Sequence, residues 1–572
     1  MRKLAMTIMA GLISVLTLGN ATEAAEVKNV PMKDLIPSQV GTVRNTSTIE
    51  VPYISWGGDI ATIHANGDAN LTKNGSIFDR LGLKLNLTRE DIFSKQVENY
   101  MRGKSPYLRG TIGMINQASD LLVQDPRTKP VIIYQMTWSA GGDALVVKGN
   151  IRSAKDLKGK TVAIQAYGPH TDYLIRILND AGLSLKDVNI KWTKDLTGTS
   201  AAPMEAFYKN DVDAAFVIIP DALALTSGGN IGTGAEDSVK GAKILLSTKT
   251  ASRVIADVYA VRSDYFQSNR GQVEKFVRGL MQGEESLRAL VKNKASQSKN
   301  YSQMIQAAAL ALLDSKQATA DAEGMYLDAE FVGFDGNVKF FNDARYPRRM
   351  DILNSEAQKG LAQLGLVKGN SKIASAGWDF GFLKAGLSNT GKAEAPKFDS
   401  SQVASVVNKK QQQGSLAEGE LFSFEVFFQP NQNTFSAELY KDAFNKVINL
   451  ASTYAGAIIT IEGHSDPMGY LRKKKANASE VVLGRIKQSA RNLSLGRAQA
   501  VRDNIIGFAS QADIFLDPSQ FAVIGHGIAM PSTGICGNDP CAPKSEQEWR
   551  SNMRVVFRII QVEAEESVFN PL

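Results

Sequence analysis

The sequence predicts an α/β protein built from a large N-terminal region, a linker and a small βαβαββ sandwich. Short apolar runs alternate with amphipathic stretches over residues 26–385, as strands and helices do in α/β folds. Residues 386–419 are polar and poor in large apolar side chains, which is typical of a flexible linker. Strand and helix patterns return over residues 420–572. The 572-residue chain is long enough for several compact units.

The composition excludes few classes of protein. Hydrophobic residues make up 43% of the chain and charged residues 22%, which is ordinary for a soluble globular protein. The net charge of +7 is small for this length, and no basic stripe with interleaved aromatic residues is present. We therefore expect no nucleic-acid partner.

The first 25 residues have the pattern of a secretory signal peptide. Arg2 and Lys3 precede an apolar run over residues 4–18, and small residues suited to cleavage continue to Ala24 and Ala25. An N-terminal membrane helix is the alternative, although the run is short for a membrane span. No cysteine follows the run, so we do not expect a lipoprotein anchor. The sequence predicts an exported chain, soluble after cleavage.

The chain has two cysteines, Cys536 and Cys541, five positions apart near its end. In an exported protein such a pair can close a small loop as a disulfide. A metal site is the alternative, but it needs more ligands, and the chain has only four histidines, of which His526 is nearest in sequence. We expect the disulfide, no metal and no cofactor.

The N-terminal region reads as repeated strand, helix, strand units. Residues 48–55 form an apolar strand before a glycine turn, residues 131–134 form another, and residues 154–165 contain a turn and a strand. A helix is predicted over residues 172–181 and a further strand over residues 187–192. Such repeats predict a parallel sheet with helices on both faces.

Three phrases of this region resemble a known family. They are DLKGKTVA at residues 156–163, GLSLKDV at residues 182–188 and NDVDAAF at residues 210–216. They are similar to periplasmic solute-binding proteins of ABC transporters, in particular the nitrate, sulfonate, taurine and thiamine-precursor binders. The resemblance covers roughly residues 48–385. It implies a two-lobed periplasmic-binding-protein fold with a small-molecule ligand in a hinged cleft, and an inner-membrane ABC transporter as partner.

In folds of this kind, loops at the carboxyl ends of the strands line the cleft. The start of the helix at residues 168–171 suits an anionic group, and an aromatic ring suits stacking. Each candidate has a structural alternative, because glycines also form turns, aromatic residues also fill cores, and a histidine can cap a helix. The candidate ligand-binding residues are Trp56, Gly57, Asp59, Ser139, Gly142, Gly168, His170, Thr171, Asp221 and Asp257.

The C-terminal region has the strand and helix order of the βαβαββ sandwich. A helix with apolar residues every three or four positions begins near Tyr440. A second helix is predicted to begin after Ser494, which would place Arg497 in its first turn, beside the buried stripe. The predicted strands are residues 425–428, 457–462, 521–524 and 554–560.

Four motifs in this region resemble the C-terminal peptidoglycan-binding domain of the OmpA kind. They are GHSDPMG at residues 463–469, LSLGRAQAV at residues 493–501, VIGHG at residues 523–527 and SNMRV at residues 551–555. In the last motif Met553 replaces one of the arginines of the family pattern. The resemblance implies binding to peptidoglycan, and hence a Gram-negative periplasmic protein associated with the cell wall and the outer membrane.

The matching residues imply how the wall is held. The family grips the diaminopimelate of the peptidoglycan stem peptide, and the residues in the matching positions are Asp466 and Arg497. Asp466 would accept from the ammonium and Arg497 would fork onto the carboxylate. Asn431 and Arg554 are further candidates. The alternative is that Asp466 and Arg497 only pair with each other on the surface.

One segment departs from the family pattern. Residues 470–491 lengthen the spacing between Asp466 and Arg497, and they include four consecutive basic residues at 472–475 and Arg485. A basic loop over the glycan and a solvated surface loop are both compatible with this composition, and charge runs are usually solvated.

Three functions remain open from the sequence. The first is a peptidoglycan-anchored solute-binding protein that captures a small, anionic molecule. The second is an envelope scaffold with a degenerate cleft. The third is an enzyme on the same scaffold, which the sequence does not favour, because no catalytic motif is evident and both cysteines lie in the C-terminal region.

Overall fold

The computed structural model describes residues 27–37, 39–388, 398–416, 419–512 and 514–562. The predicted signal peptide lies outside the described residues. No helix in this part of the chain combines the length and the hydropathy that a membrane span needs.

The N-terminal region is a mixture of short strands and helices. Its strands are β1 Ile49–Tyr53, β2 Leu85–Arg89, β3 Tyr107–Thr111, β4 Pro130–Ser139, β5 Asp143–Val147, β6 Thr161–Gln165, β7 Asn189–Thr193, β8 Ala214–Ile218, β9 Lys243–Ser247, β10 Ala256–Arg262, β11 Ala329–Phe331 and β12 Ala374–Ser375. Its helices are α1 Met32–Leu35, α2 Asp59–Ala65, α3 Ile77–Arg80, α4 Phe93–Met101, α5 Ile112–Gln117, α6 Ser119–Leu122, α7 His170–Asp180, α8 Pro203–Phe207, α9 Ile219–Leu225, α10 Ser263–Ser268, α11 Arg270–Lys292, α12 Ser298–Leu313, α13 Thr319–Asp328, α14 Gly333–Asn342, α15 Met350–Gln363 and α16 Phe380–Leu383. Single 3-10 turns are at Pro126–Thr128, Ala154–Leu157 and Leu185–Asp187.

Two sheets define two lobes, so the predicted α/β, two-lobed architecture is present. Lobe one contains the sheet β11-β4-β10-β3, with β12 beside β4, and a separate parallel pair of β1 and β2. Lobe two contains the sheet β7-β6-β8-β5-β9. The chain crosses between the lobes at residues 140–142 and again at residues 248–255.

The prediction of parallel sheets is only partly right. In lobe two, β6 is parallel to β7 and β8, but β5 is antiparallel to β8 and β9. In lobe one, β10 is antiparallel to both β3 and β4. β5 and β10 are the strands by which the chain enters one lobe from the other, and each runs against its neighbours.

The C-terminal domain is the expected small α/β sandwich with additions. Its sheet has the order β13-β18-β14-β15, in which β14 and β15 are parallel and β18 is antiparallel to its neighbours. Helices α18 and α20 cover one face. The elements are α17 Ser400–Gln412, β13 Glu420–Phe427, α18 Lys441–Thr453, β14 Ile458–His464, α19 Met468–Lys475, α20 Glu480–Gln511, β15 Phe521–Gly527, β16 Ile535–Cys536, β17 Asp539–Pro540, α21 Glu546–Ser551 and β18 Arg554–Ile560, with 3-10 turns at Ala437–Tyr440 and Pro518–Gln520.

Two local predictions in this domain are corrected. The long helix α20 begins at Glu480 instead of after Ser494. Ser494 is an interior residue, and its hydroxyl accepts from the Gly527 amide and donates to the Arg491 carbonyl. The insert at residues 470–491 is therefore helical, formed by α19 and the first turns of α20, and Arg497 lies far from a helix N-terminus.

The linker predicted over residues 386–419 also contains a helix. Helix α17 begins after Asp399, whose carboxylate accepts from the amides of Ser401 and Gln402. Its valines recur at helical spacing and pack, with Phe398 and Leu416, on the sheet face opposite to α18 and α20. The buried residues of this contact are Phe398, Val403, Val406, Val407, Leu416, Ile458, Ile560 and Val562.

The C-terminal domain docks on lobe two. The Thr250 hydroxyl donates to the Val562 carbonyl at 3.1 Å and accepts from the Val562 amide at 2.8 Å. The Gly456 amide donates to the Thr250 carbonyl, and the Tyr454 hydroxyl donates to Asp180. Glycine is needed at position 456, because a Cβ there would lie 1.7 Å from the Lys249 carbonyl oxygen. The contact residues Lys249 and Thr250 lie within the second crossing between the lobes.

Candidate functional site

A buried ion triad lies in lobe one beside the crossing. Arg109, on β3, donates through Nε and Nη2 to Asp59 and through Nη1 to Asp257 at 2.8 Å. All three side chains are buried. Burial raises the pKa of Asp59 to about 7, while Arg109 opposes this, and burial likewise raises the pKa of Asp257. Two candidate ligand residues are therefore held by a cation that the sequence analysis did not single out, although an arginine within an apolar strand is a signal.

A second network joins the two crossings. The Ser139 hydroxyl donates to Asp143 Oδ2 at 2.6 Å, and His170 Nε2 lies 2.7 Å from Asp143 Oδ1. The Thr248 hydroxyl lies 2.9 Å from the Ser139 hydroxyl and accepts from the amides of Gly141 and Asp143. The network therefore ties β4, β5 and the segment after β9 together at the hinge.

Ser139, Asp143 and His170 include the residue types of a hydrolase triad, but in a different order. In such a triad the imidazole lies between the hydroxyl and the carboxylate and takes the hydroxyl proton. Here the Asp143 carboxylate lies between Ser139 and His170. The Ser139 hydroxyl therefore donates to a carboxylate and not to an imidazole, unlike the hydroxyl of such a triad.

Two further carboxylates lie near this network. Asp328 ends α13, beside Gly141, where a Cβ would lie 2.5 Å from its Oδ1. Burial, reinforced by Asp143, raises the pKa of Asp328 to about 7. Asp221 accepts from the Thr197 hydroxyl through Oδ1, while its Oδ2 is buried without a hydrogen-bond partner. Burial raises the pKa of Asp221 as well.

Some of the remaining cleft candidates serve packing, and others have polar atoms without a hydrogen-bond partner. The Trp56 indole donates to the Thr137 hydroxyl at 2.9 Å, and its ring lies against Gly142, where a Cβ would be 2.7 Å from Cζ3. Gly57 packs on the Met325 carbonyl and Gly168 on the Gln165 side chain, so these glycines serve close packing. Thr171 Oγ1 and His170 Nδ1 are buried and have no hydrogen-bond partner.

A small cavity lies beside α7 and is lined by Asp172, Ile175 and Arg176 of that helix. Its volume is about 20 Å³, and Ile112 of lobe one, Asp172 of lobe two and Arg348 are among the residues that line it. This is the space of about one water molecule. Burial raises the pKa of Asp172 to about 7, against the hydrogen bond from the Gly113 amide. The cavity is too small for a solute and fits an internal water.

In the C-terminal domain, Arg497 is buried near the end of the sheet where β14 stops. Its Nε donates to the Gln432 carbonyl, Nη1 to the His464 carbonyl and Nη2 to the Gln429 carbonyl. Burial lowers the pKa of Arg497 to about 10, and its guanidinium lies over the Phe428 ring. In the part of the chain that the structure describes, Arg497 forms no ion pair with a carboxylate, so it does not pair with Asp466.

Asp466 lies at the same end of the sheet, two residues after His464. Its Oδ2 accepts from the Met468 amide at 2.9 Å, while Oδ1 is buried without a hydrogen bond of good geometry. Burial raises the pKa of Asp466, and the Met468 amide with the nearby side chains of Trp549 and Asn552 opposes this. The carboxylate is half-buried, and the side chains of Trp549 and Asn552 lie beside it.

The two other wall candidates flank this edge. Asn431 is exposed in the turn between the Gln429 and Gln432 carbonyls and has a φ of 59°. Arg554 begins β18 and pairs with Glu425 at 2.9 Å. The basic residues of the insert, 472–475 and 485, are exposed. Lys474 pairs with Asp539, next to the disulfide of Cys536 and Cys541.

A cluster that the sequence analysis missed lies on the sheet face opposite to α20. Glu462 and His464 are alternate residues of β14, and His526 lies on β15. One ligand atom from each of the three side chains lies within 4.8 Å of the others. His526 Nε2 is 3.2 Å from Glu462 Oε2, and the two imidazoles are 5.1 Å apart between centroids. Adjacent strands bring these residues together, which spacing along the chain does not reveal.

Comparisons with known proteins support the N-terminal resemblance only in general terms. The family described as "NMT1/THI5 like" matches residues 140–289, well under half of the chain. No curated protein matches the sequence.

Several solved structures are similar to this chain. The periplasmic aliphatic sulphonate binding protein SsuA from Escherichia coli is 18% identical, with 62% of this chain and 97% of that chain covered and a TM-score of 0.39. A putative periplasmic sulfonate-binding protein SsuA from Methylobacillus flagellatus KT is 15% identical, with 62% and 99% covered and a TM-score of 0.42. The periplasmic nitrate-binding protein NrtA from Synechocystis PCC 6803 is 12% identical, with 60% and 86% covered and a TM-score of 0.36.

Proposed function

We propose that this chain is a solute-binding protein anchored to peptidoglycan, and that its cleft takes a small molecule with a cationic group. The two lobes, joined by two crossings with a hydrogen-bonded hinge between them, support the binding of a solute by closure. The proposed ligand class rests on the charge of the carboxylates near the hinge.

Three carboxylates, those of Asp143, Asp221 and Asp328, lie near the crossings, while Arg253 of the second crossing pairs with Glu330. Asp143 and Asp328 lie close enough for Asp143 to raise the pKa of Asp328, and Asp221 has an oxygen without a partner. Arg109 is already neutralised by two carboxylates. An ammonium placed between Asp143 and Asp328 would relieve their repulsion, whereas an anion would increase it. We therefore propose a cationic ligand, in contrast to the anionic ligand that the sequence predicts and that no finding tests.

The ligand class is tested on the full chain after removal of residues 1–25. We expect small primary amines to raise the melting temperature and sulfonates and nitrate to leave it unchanged. Asp328→Asn should raise at least tenfold the amine concentration needed for the same rise in melting temperature. Asp321→Asn, at an exposed position on the same helix, should leave that concentration unchanged. Stabilisation by sulfonates but not by amines would overturn the ligand class. Turnover of a bound solute would favour an enzyme, and no shift with any solute would favour a scaffold.

The wall-binding part of the proposal is supported by the uncompensated Arg497. Three of its five N–H donors are used by backbone carbonyls, so two remain for a carboxylate. Asp466, at the same sheet edge, is a half-buried carboxylate of the charge that an ammonium needs. Together they suit the zwitterionic end of a diaminopimelate side chain.

Sedimentation with purified peptidoglycan tests this anchor. Asp466→Asn and Arg497→Lys should both abolish co-sedimentation, because the first removes the charge and the second removes the fork. Arg502→Gln, on an exposed turn of the same helix, is the matched control and should sediment as the parent does. A muropeptide with diaminopimelate should compete, and one with lysine should not. Equal sedimentation of all variants would refute the anchor.

A further inference from the structure

The side chains of Glu462, His464 and His526 belong to neither of the proposed ligand sites. Thr460, Glu462 and His464 alternate along β14 and so share one sheet face, opposite to the face that packs on α20. β15 places His526 on the same face. We propose that these three side chains form a divalent transition-metal site of the kind that Zn²⁺ occupies.

The donor set fits this class of metal. Two imidazoles and one carboxylate are the three protein ligands of many zinc sites, with a fourth position left for water. The ligand atoms lie within 4.8 Å of one another, so small side-chain rotations bring them to a common ion. Hard cations such as Mg²⁺ and Ca²⁺ prefer oxygen ligands and fit this set poorly.

His464 is the strongest single indication. It is 2% exposed, and neither of its ring nitrogens has a hydrogen bond of good geometry, although the backbone of Met530 lies nearby. A buried polar group without a partner is costly, and metal coordination would satisfy one nitrogen of the ring. A neutral imidazole is also the form that binds a metal.

The local charge also favours a cation. Arg558 pairs with Glu420, and Arg554 pairs with Glu425, so each nearby arginine has its own carboxylate. Glu462 shares Arg558 with Glu420, so three carboxylates face two arginines and one negative charge is left over. Glu462 Oε1 accepts from Arg558 Nε at 2.9 Å and from the Thr460 hydroxyl, which orients the carboxylate and leaves Oε2 directed at His526.

The position indicates what a metal would do. It would join β14 to β15 next to the sheet edge that carries Asp466, and the His464 carbonyl is one of the acceptors that hold Arg497. The metal would therefore stabilise the edge on which the proposed wall site is built. Its binding requires no peptidoglycan and no solute in the cleft.

The chain is favourable for a direct test, because it has four histidines and both cysteines form a disulfide. The metal-free full chain would be titrated with Zn²⁺ by calorimetry, and with Co²⁺ for the visible absorption of a tetrahedral site. We expect one ion per chain and a higher melting temperature with the metal. His526→Gln should weaken binding at least tenfold, whereas His64→Gln, a histidine of lobe one, should not.

A second measurement keeps the proposal testable if His526→Gln fails to fold. Imidazole NMR signals of the parent chain should change on Zn²⁺ addition for His464 and His526 and stay fixed for His64 and His170. Equal binding by His526→Gln and His64→Gln, changes confined to His64 or His170, or no Zn²⁺ binding at all would each overturn the site.

Discussion

Two arginines differ in their partners: Arg109 beside the cleft between the lobes, and Arg497 at the sheet edge of the C-terminal domain. In lobe one, Arg109 is fully buried and neutralised by Asp59 and Asp257. At the sheet edge, Arg497 is held only by backbone carbonyls and by the ring of Phe428. Both arginines are buried, but Arg109 is neutralised by carboxylates, whereas Arg497 has no carboxylate partner among the described residues. The difference distinguishes an arginine enclosed by carboxylates from the arginine to which we assign the proposed wall binding.

The largest effect that tests this comparison is expected at Arg109. Arg109→Met should lower the free energy of unfolding by about 3–5 kcal/mol, because it leaves two buried carboxylates without their cation. Urea unfolding followed by circular dichroism measures this. Arg127→Met, which removes an exposed partner of Asp125, is the control and should change little. If both variants unfold alike, Arg109 is not a structural charge.

A change of pH should have an intermediate effect on folding stability. The sign should be opposite in the N-terminal region and in the C-terminal domain. Burial raises the pKa of Asp172 from 3.8 to about 7 in the folded state, so stability should fall as pH rises from about 4 to about 7. For Glu462 the pKa is lowered from 4.5, since His526 and Arg558 outweigh its burial, so its stabilisation should be lost as pH falls below that value.

Asp172→Asn isolates the first of these pH effects. It should flatten the fall in stability of the N-terminal region by on the order of 4 kcal/mol between about pH 4 and about pH 8. Unfolding midpoints at several pH values, with one spectroscopic probe in each region, measure both slopes. A slope that Asp172→Asn leaves unchanged would assign the pH dependence to other groups.

The smallest effect concerns the link between the two regions. Thr250→Val removes both hydrogen bonds to Val562, and it should cost about 1–2 kcal/mol of docking free energy. Amide exchange at residues 453–456 should accelerate, while Thr199→Val, an exposed site in lobe two, should not affect it. Unchanged exchange would mean that the apolar contact alone holds the domain.

Sequence patterns predicted the helices and strands better than they predicted the contacts between them. The four C-terminal strands and the stripe beside Arg497 follow from periodicity, because alternation and helical spacing are imposed by near neighbours. The same reasoning predicted that α20 begins after Ser494, because a serine before an amphipathic stretch has the sequence pattern of an N-cap. In the structure Ser494 lies inside the helix, and its hydroxyl accepts from the Gly527 amide. The same reasoning also treated residues 400–412 as coil, although their valine spacing was readable as a helix.

By itself the sequence determined the α/β class, the order of the regions and the motifs that meet at the sheet edge. Only the tertiary structure decided that Arg109 forms ion pairs with Asp59 and Asp257. The same holds for the contact of Thr248 with Ser139 across the hinge, and for the cluster of His526 with Glu462 and His464. The physical reason is separation along the chain. Local geometry is set by residues a few positions apart, whereas these partners lie some 50 to 150 positions away and meet only when strands pair.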